Sequence, residues 1–208
     1  MRDVVQSVAR VPAAALEARA EEGPARSFQV VPLRGLAVVA VVIGGLVATI
    51  VTNQLWALDA FHVVGGGMWT ALDLFLGFVL GPIIGRLSIP ARVELTTRLM
   101  PKMVLIMPTL VLCTLAAGWQ LARHLGTIDT SYARHGWVVA SFIVVAVIFV
   151  IALGLLEPAN VAVLFELRKP VPNGEVIGRL MRRFIMTAGI TGAMQVATLV
   201  IMTRLATT

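Results

Sequence analysis

The sequence predicts an all-α protein, a polytopic transmembrane helical bundle with five spans. Of its 208 residues, 58% are hydrophobic and 13% are charged, and its mean hydropathy of +0.90 is far above that of a soluble domain. The apolar residues form five continuous runs, each close to the roughly 20 residues that one helix needs to cross a bilayer. These runs do not alternate in polarity, as the strands of a membrane β-barrel would.

The five predicted spans cover residues 36–55, 62–85, 101–122, 137–157 and 184–204. Charged or Pro- and Gly-rich segments separate them, so residues 35–208 are predicted to form one transmembrane bundle. The fourth run is expected to continue as a helix through NVAVLFELRK, with a kink at Pro158, because proline lacks the amide hydrogen that the helix needs there.

Residues 1–34 are predicted to be a cytoplasmic tail with a short amphipathic helix. The segment PAAALEARAEEG begins near Pro12 and ends at Gly23, which is the usual placement of these two residues around a helix. The tail has no apolar segment of a secretory signal, and its acidic residues argue against a transit peptide. We expect this helix to lie on the membrane surface, or to dock on another membrane subunit or a second copy of the chain.

The basic residues predict the orientation of the spans. Of the 17 Lys and Arg residues, five lie in the tail, four after span two and five after span four, against three elsewhere, namely Arg123, Arg134 and Arg204. Because basic residues favour the cytoplasmic side, we expect a bacterial inner-membrane protein with a cytoplasmic N-terminus and an external C-terminus. The net charge of +6 is then explained by topology and anionic lipid headgroups, and no nucleic-acid partner is expected.

Span two carries a polar face with a carboxylate near its middle. His62, Gly66, Trp69, Asp73 and Gly77 share one side of a helix, and small residues there allow a second helix to come close. A charge at the bilayer centre costs at least about 2.5 kcal/mol, so Asp73 needs a partner. Span five offers Gln195 at the same depth, and neighbouring threonines. Asp73 is therefore either a structural hydrogen-bonding group or a group that carries protons or contacts a propionate or substrate.

All three histidines are expected at the outer membrane face. His62 begins span two, His124 ends span three and His135 begins span four. Imidazole is a common ligand of haem iron, copper and zinc, so two of these side chains on different helices predict a haem b or metal site. The alternative is that they anchor helix ends at headgroup level.

Sulfur-containing side chains offer a weaker signal. Met100, Met103 and Met107 lie on one face of span three in the spacing of a thioether path for Cu(I), although methionine is also ordinary packing material. Cys113 is the single cysteine, which excludes an intramolecular disulfide and favours a small core residue.

Four segments in order resemble the HemJ-type protoporphyrinogen oxidases and the related CopD-type integral membrane proteins. They are AFHVVGGGMW, RLMPKMVLIMPTLVLCTLAAGWQL, HGWVVASF and FELRKPVPNGEVIGRLMRRF, and the resemblance covers residues 61–205. It implies a four-helix haem-type core, here with an additional N-terminal span. It also implies that the core binds haem b and either oxidises a porphyrinogen or takes part in copper handling.

The resemblance assigns roles to individual residues. His62 matches the haem-ligating histidine, Trp69 the tryptophan that follows it, and Arg98 and Lys102 the basic residues before the second core helix. Two positions depart from the pattern. Ser141 stands where the family has a lysine important for haem ligation and activity, and LDLFLGFVLGP lacks the family's arginine. The expectation is a divergent member that binds haem b, or derives from a haem-binding bundle, without full oxidase activity, and that uses His135 as its second axial ligand.

Two other functions remain open from the sequence. The chain could be a cofactor-free structural accessory subunit of a larger membrane complex, docked through its tail. It could also handle or transport copper through the methionine face of span three.

Overall fold

The computed structural model describes residues 33–169 and 172–207, and the predicted tail helix lies outside the described residues. Within these ranges the chain forms helices and no strand. Five helices are long and apolar enough to cross a membrane: α1 (Leu33–Thr52), α2 (Leu55–Arg86), α3 (Ile89–His124), α4 (His135–Leu167) and α5 (Gly174–Ala206). The prediction of an all-α bundle with five helices long and apolar enough to cross a membrane is confirmed.

Successive helices run in opposite directions, which gives the bundle two distinct ends. At the histidine end, α2 begins at Leu55 and α4 begins at His135, while α3 ends at His124 and α5 ends at Ala206. At the arginine end, α2 ends at Arg86 and α4 ends at Leu167, while α3 begins at Ile89 and α5 begins at Gly174.

Helix α5 lies at the centre of the packing and contacts α2, α3 and α4. Helix α3 packs against α2, against the end of α4 and against α1. The main core is formed by side chains from α2 to α5, including Trp69, Leu76, Met103, Ile148 and Phe184. Helix α1 is added to the side of α2 and α3 through a second small cluster around Leu46, Leu58 and Cys113, which confirms the buried position predicted for the cysteine.

Helices α2 to α5 are longer than the apolar runs that predicted them, whereas α1 has the predicted length but covers Leu33–Thr52 instead of residues 36–55. Helix α1 ends at Thr52 because Asn53 has a positive φ of 56°, a conformation that asparagine tolerates better than most residues. Helix α3 begins at Ile89, twelve residues before the predicted span. Its first turns, ARVELTTRLM, are amphipathic rather than apolar, so a search for continuous apolar residues stops short of the helix.

Two wider π-helical segments interrupt α2 and α4, at Phe75–Leu80 and Ala152–Leu156. Each lies just before a proline, Pro82 or Pro158. A proline ring clashes with the carbonyl group four residues earlier, and that residue lies inside the π segment in both cases. We infer that the wider turn relieves the clash. Helix α4 therefore continues beyond Pro158, where a kink was predicted, and ends at Leu167.

Candidate functional site

The buried carboxylate of Asp73 joins α2 to α5. Asp73 has no exposed surface, and its Oδ2 accepts hydrogen bonds from Thr191 Oγ1 and Gln195 Nε2, each at 3.0 Å. Thr191 and Gln195 are one helical turn apart on α5, so both face the same point on α2. The hydrogen bond that the sequence predicts between Asp73 and Gln195 is therefore present.

Glycines bring the two backbones together around this carboxylate. A Cβ added at Gly77 would lie 2.3 Å from the Cα of Gly189, and one added at Gly192 would lie 2.9 Å from the backbone nitrogen of Leu74. On α2 these contacts lie within about one turn of Asp73, and on α5 they lie within about one turn of Thr191. The crossing is of the small-residue type found between membrane helices, and it brings the short Asp73 side chain within reach of α5.

The Asp73 cluster has unused hydrogen-bonding capacity. Among the described residues, Asp73 Oδ1 and Gln195 Oε1 are buried without a hydrogen-bond partner. The single hydroxyl proton of Thr191 has three acceptors near it, since the carbonyl oxygens of Thr187 and Ala188 lie 3.1 and 3.0 Å away. Trp69 is buried one turn earlier on the same face of α2. Two donors on α5 therefore converge on one oxygen of the Asp73 carboxylate.

His62 is held by the backbone of α3. Its Nδ1 lies 2.9 Å from the carbonyl oxygen of Thr114, and because a carbonyl can only accept, Nδ1 is the nitrogen that carries the hydrogen. The ring packs on Gly118, where an added Cβ would lie 2.6 Å from both Nδ1 and Cε1. In a neutral imidazole this leaves Nε2 with its lone pair, which is the arrangement found in most metal-ligating histidines.

The other two histidines have different surroundings. His135 is half-buried at the first turn of α4, and its Nδ1 is buried without a partner in the part of the chain that the structure describes. His124 is exposed and bonds to its own helix, at 2.8 Å from the Gln120 carbonyl oxygen. Neither ring is hydrogen-bonded to His62 within the described ranges.

His62 and His135 lie at a similar level along the bundle. His62 precedes Asp73 by eleven residues, and Ala206 follows Gln195 by eleven, so both are about 16 Å from the Asp73 contact at 1.5 Å per residue. Arg134, next to His135, donates to the Arg204 and Leu205 carbonyl oxygens at 3.2 Å. The start of α4 is therefore tied to the end of α5, at the level of His62.

The two helices that carry these histidines are separated by their neighbours. Helix α2 packs against α3 and α5, and the first part of α4 packs against α5. Between α3 and α4 at this level, the rings of Trp119 and Phe142 meet with centroids 5.9 Å apart. The structure thus brings His62 and His135 to one end of the bundle without joining them directly.

The remaining predicted residues lie elsewhere. Arg98 and Lys102 are exposed on α3, and Arg98 pairs with Glu94. Lys102 precedes Thr114 by twelve residues, about 18 Å along the helix, so these two basic residues do not meet His62. Met100, Met103 and Met107 are all buried in the main core. Ser141 donates to the Val138 carbonyl oxygen of its own helix at 2.7 Å.

Several buried polar residues were not predicted, and Asn160 is the most buried amide among them. It is fully buried in α4, and both polar atoms of its side chain lack a hydrogen-bond partner among the described residues. Its signal was an amide within the apolar continuation of the fourth run, which pointed to an inward face. In the described ranges no group of three or more His, Cys, Asp or Glu side chains is arranged to hold a metal ion.

The fold and the site define a class of protein: a bundle of five helices of membrane-spanning length, with a buried carboxylate in its middle and a carbonyl-held imidazole near one end. Comparison of the chain with protein families, with curated proteins and with solved structures gave no match.

Proposed function

We propose that this protein is a multi-pass inner-membrane protein that binds haem b through His62, as a divergent relative of the HemJ and CopD proteins without full oxidase activity. The observation that carries the proposal is the hydrogen bond between His62 Nδ1 and the Thr114 carbonyl oxygen. It fixes the tautomer and the ring orientation, and it leaves Nε2 as the nitrogen that can bind iron.

His135 is proposed as the second axial ligand, although within the described ranges α2 and α4 do not pack directly against each other, so ligation of one iron requires the two helices to approach at this end. It lies at the level of His62, and its buried Nδ1 has no partner among the described residues, which is unusual for a buried polar atom. Haem would supply one-electron redox chemistry when bound. The residues of the chain would orient the two imidazoles, and Trp119 and Phe142 would offer aromatic surface between α3 and α4.

The lack of full oxidase activity is proposed from Ser141. Its hydroxyl is buried and bonded to its own helix, whereas the family pattern has a lysine amine at this position. A serine hydroxyl can neither carry a positive charge nor ligate iron in the way that an amine can. The proposed role is therefore haem binding or electron transfer, with the chemistry completed elsewhere.

The proposed topology has the arginine end in the cytoplasm. This end of the bundle carries Arg86, Arg92, Arg168, Lys169, Arg179, Arg182 and Arg183, and the histidine end carries Arg123, Arg134 and Arg204. The asymmetry supports a cytoplasmic N-terminus and an external C-terminus. A C-terminal reporter that is active only outside the cytoplasm should be active in this protein.

Absorption spectroscopy of the purified protein tests the haem proposal. Protein expressed with a haem precursor should show a Soret band, and His62→Ala should abolish it. His124→Ala is the matched control, because that histidine lies at the same end but bonds to its own helix, and it should leave the band unchanged. If the wild-type protein binds no haem, or if both variants lose the band equally, the proposal is wrong.

One observation favours the second candidate, a cofactor-free accessory subunit. Helix α1 exposes Val38, Val41, Val47 and Val51, and only 11% of its apolar stretch is buried. Such a face can pack against lipid or against another membrane subunit. A haem-free wild-type protein that co-purifies with a stoichiometric membrane partner would support this function.

A further inference from the structure

An open groove runs along the surface between the arginine-end halves of α2 and α5. It has a volume of about 740 Å³, within the range of about 300–1,000 Å³ that is typical of ligand sites. Its floor and walls include Gly81, Gly85 and Gly189, together with the apolar side chains of Phe78 and Ile190. Because glycines project no side chain, the groove is open and apolar on the face that would meet lipid.

Arginines surround the mouth of this groove. Arg92 and Arg182 line the groove itself, and both also line an adjoining pocket of about 300 Å³ together with Arg179. Glu175 is the one acidic side chain that lines these two pockets. Within the described ranges, none of the three guanidinium groups forms an ion pair with a carboxylate. The mouth therefore carries an excess of positive charge.

Arg92 is held in position although its charge is not neutralised. Its NH2 group donates to the Leu87 carbonyl oxygen at 3.2 Å, and its side chain packs on Gly178, where an added Cβ would lie 2.8 Å from its NH1 group. Its Nε is buried and has no partner in the described part of the chain. A positioned arginine with an unused donor is suited to a phosphate oxygen.

Two helix starts lie at this mouth. Helices α3 and α5 both begin here, and Ile89 of α3 touches Gly174 of α5. Ser88, before α3, makes no capping hydrogen bond with its side chain, so its hydroxyl satisfies none of the amides of the first turn. The uncapped start of α3 thus lies beside three arginines and favours an anion, whereas at the start of α5 Asn173 Oδ1 already accepts from the Glu175 and Val176 amides.

We propose that this groove binds one anionic phospholipid, with its phosphate among Arg92, Arg179 and Arg182 and an acyl chain along the glycine-lined wall. A free phosphate ion would use the arginines but not the apolar groove. A zwitterionic lipid would use both but would gain less from the excess positive charge. In the proposed topology the site faces the cytoplasmic leaflet, where anionic lipids attract basic residues. The site does not depend on haem binding.

The test is native mass spectrometry of the full-length protein in detergent with dioleoyl phosphatidylglycerol or dioleoyl phosphatidylcholine. The wild-type protein should retain one phosphatidylglycerol in preference to phosphatidylcholine. Arg182→Gln should weaken phosphatidylglycerol binding about fivefold, and the Arg179→Gln, Arg182→Gln double variant roughly 25-fold. Arg183→Gln is the charge-matched control, since Arg183 does not line the groove, and it should leave binding within about twofold.

A second pair of variants tests the apolar part of the site without changing charge. A Cβ at Gly85 meets open space, so Gly85→Leu should fill the groove without a clash and reduce retention of phosphatidylglycerol. Gly67→Leu, also on α2 and also in open space, should not. Equal effects of Arg182→Gln and Arg183→Gln would overturn the proposal. So would retention of inorganic phosphate in place of phosphatidylglycerol, or a Gly85→Leu variant that retains phosphatidylglycerol as well as the wild-type protein does.

Discussion

Helices α1 and α5 are both long and apolar enough to cross a membrane, but α1 lies at the edge of the molecule and α5 at its centre. Half of the apolar stretch of α5 is buried in the bundle, against 11% of that of α1. Yet α1 is the more apolar of the two, with a mean hydropathy of 2.5 against 1.7. Apolarity alone therefore does not place a helix in the centre of this protein.

The difference lies in the small and polar residues that α5 carries. In a bilayer, an apolar side chain has apolar surroundings whether it faces lipid or another helix, so it gains little free energy from helix association. Close backbone packing and hydrogen bonds therefore decide which helices associate. Helix α5 has Gly189 and Gly192 against the backbone of α2, and Thr191 and Gln195 against Asp73. In α1, an added Cβ at Gly44 meets open space, and the Thr49 and Thr52 hydroxyls bond to their own helix.

The largest expected effect comes from filling the glycine contact. Gly77→Leu would place its Cβ in the backbone of Gly189, so it should lower the free energy of unfolding in detergent by about 3 kcal/mol or prevent assembly. Gly44→Leu is the matched control on α1 and should change it by less than about 0.5 kcal/mol. Denaturant unfolding followed by circular dichroism or by tryptophan fluorescence measures both. Equal effects of the two substitutions would contradict the comparison.

Removing the buried carboxylate should have the next largest effect. Asp73→Ala deletes two interhelical hydrogen bonds and leaves Gln195 Nε2 without its acceptor, while Thr191 keeps the carbonyl oxygens of its own helix, so the variant should lose about 2 kcal/mol. Asp73→Asn retains a carbonyl oxygen as acceptor and should cost clearly less, about 0.5–1 kcal/mol. If the alanine variant is as stable as the wild-type protein, Asp73 does not join the two helices.

The smallest expected loss of stability comes from removing one threonine hydroxyl that bonds to another helix, and it is compared with the loss from removing a hydroxyl that bonds within its own helix. Thr191→Val removes one donor to Asp73 and should cost about 0.6 kcal/mol, the average for such bonds between membrane helices. Thr52→Val is the control, because that exposed hydroxyl bonds only to the Ala48 carbonyl oxygen of its own helix. Its stability should remain within about 0.3 kcal/mol of the wild type. A larger loss for Thr52→Val would reverse the expected order.

Helical periodicity was sufficient to predict the fold and the central polar contact. Five apolar runs give five helices, and the spacing of Asp73 on span two and Gln195 on span five put the two groups at one depth. Their contact needed no further information, because a buried carboxylate has few other partners in an apolar bundle. The inward position of the span-two face followed from the same spacing, and Trp69 and Asp73 are both buried.

The bond that holds His62 could not be predicted in the same way. Its partner is the backbone carbonyl of Thr114, and every residue has such a group, so the sequence carries no signal for it. The packing of the His62 ring on Gly118 depends on how α2 is rotated about its axis relative to α3, and the amino-acid composition does not specify this rotation. The π segments were also missed, although each precedes a proline, because a proline predicts a disturbed helix but not its form.

The most direct test of the proposed function is rescue of a His62→Gly variant with added imidazole. The wild-type protein should have the spectrum of low-spin haem b with two nitrogen ligands, His62→Gly should lose it, and imidazole should restore it. His124→Gly should keep the wild-type spectrum without imidazole. A His62→Gly variant that binds haem with an unchanged spectrum, or a wild-type protein that takes up no haem, would contradict the assignment of His62 as the haem ligand.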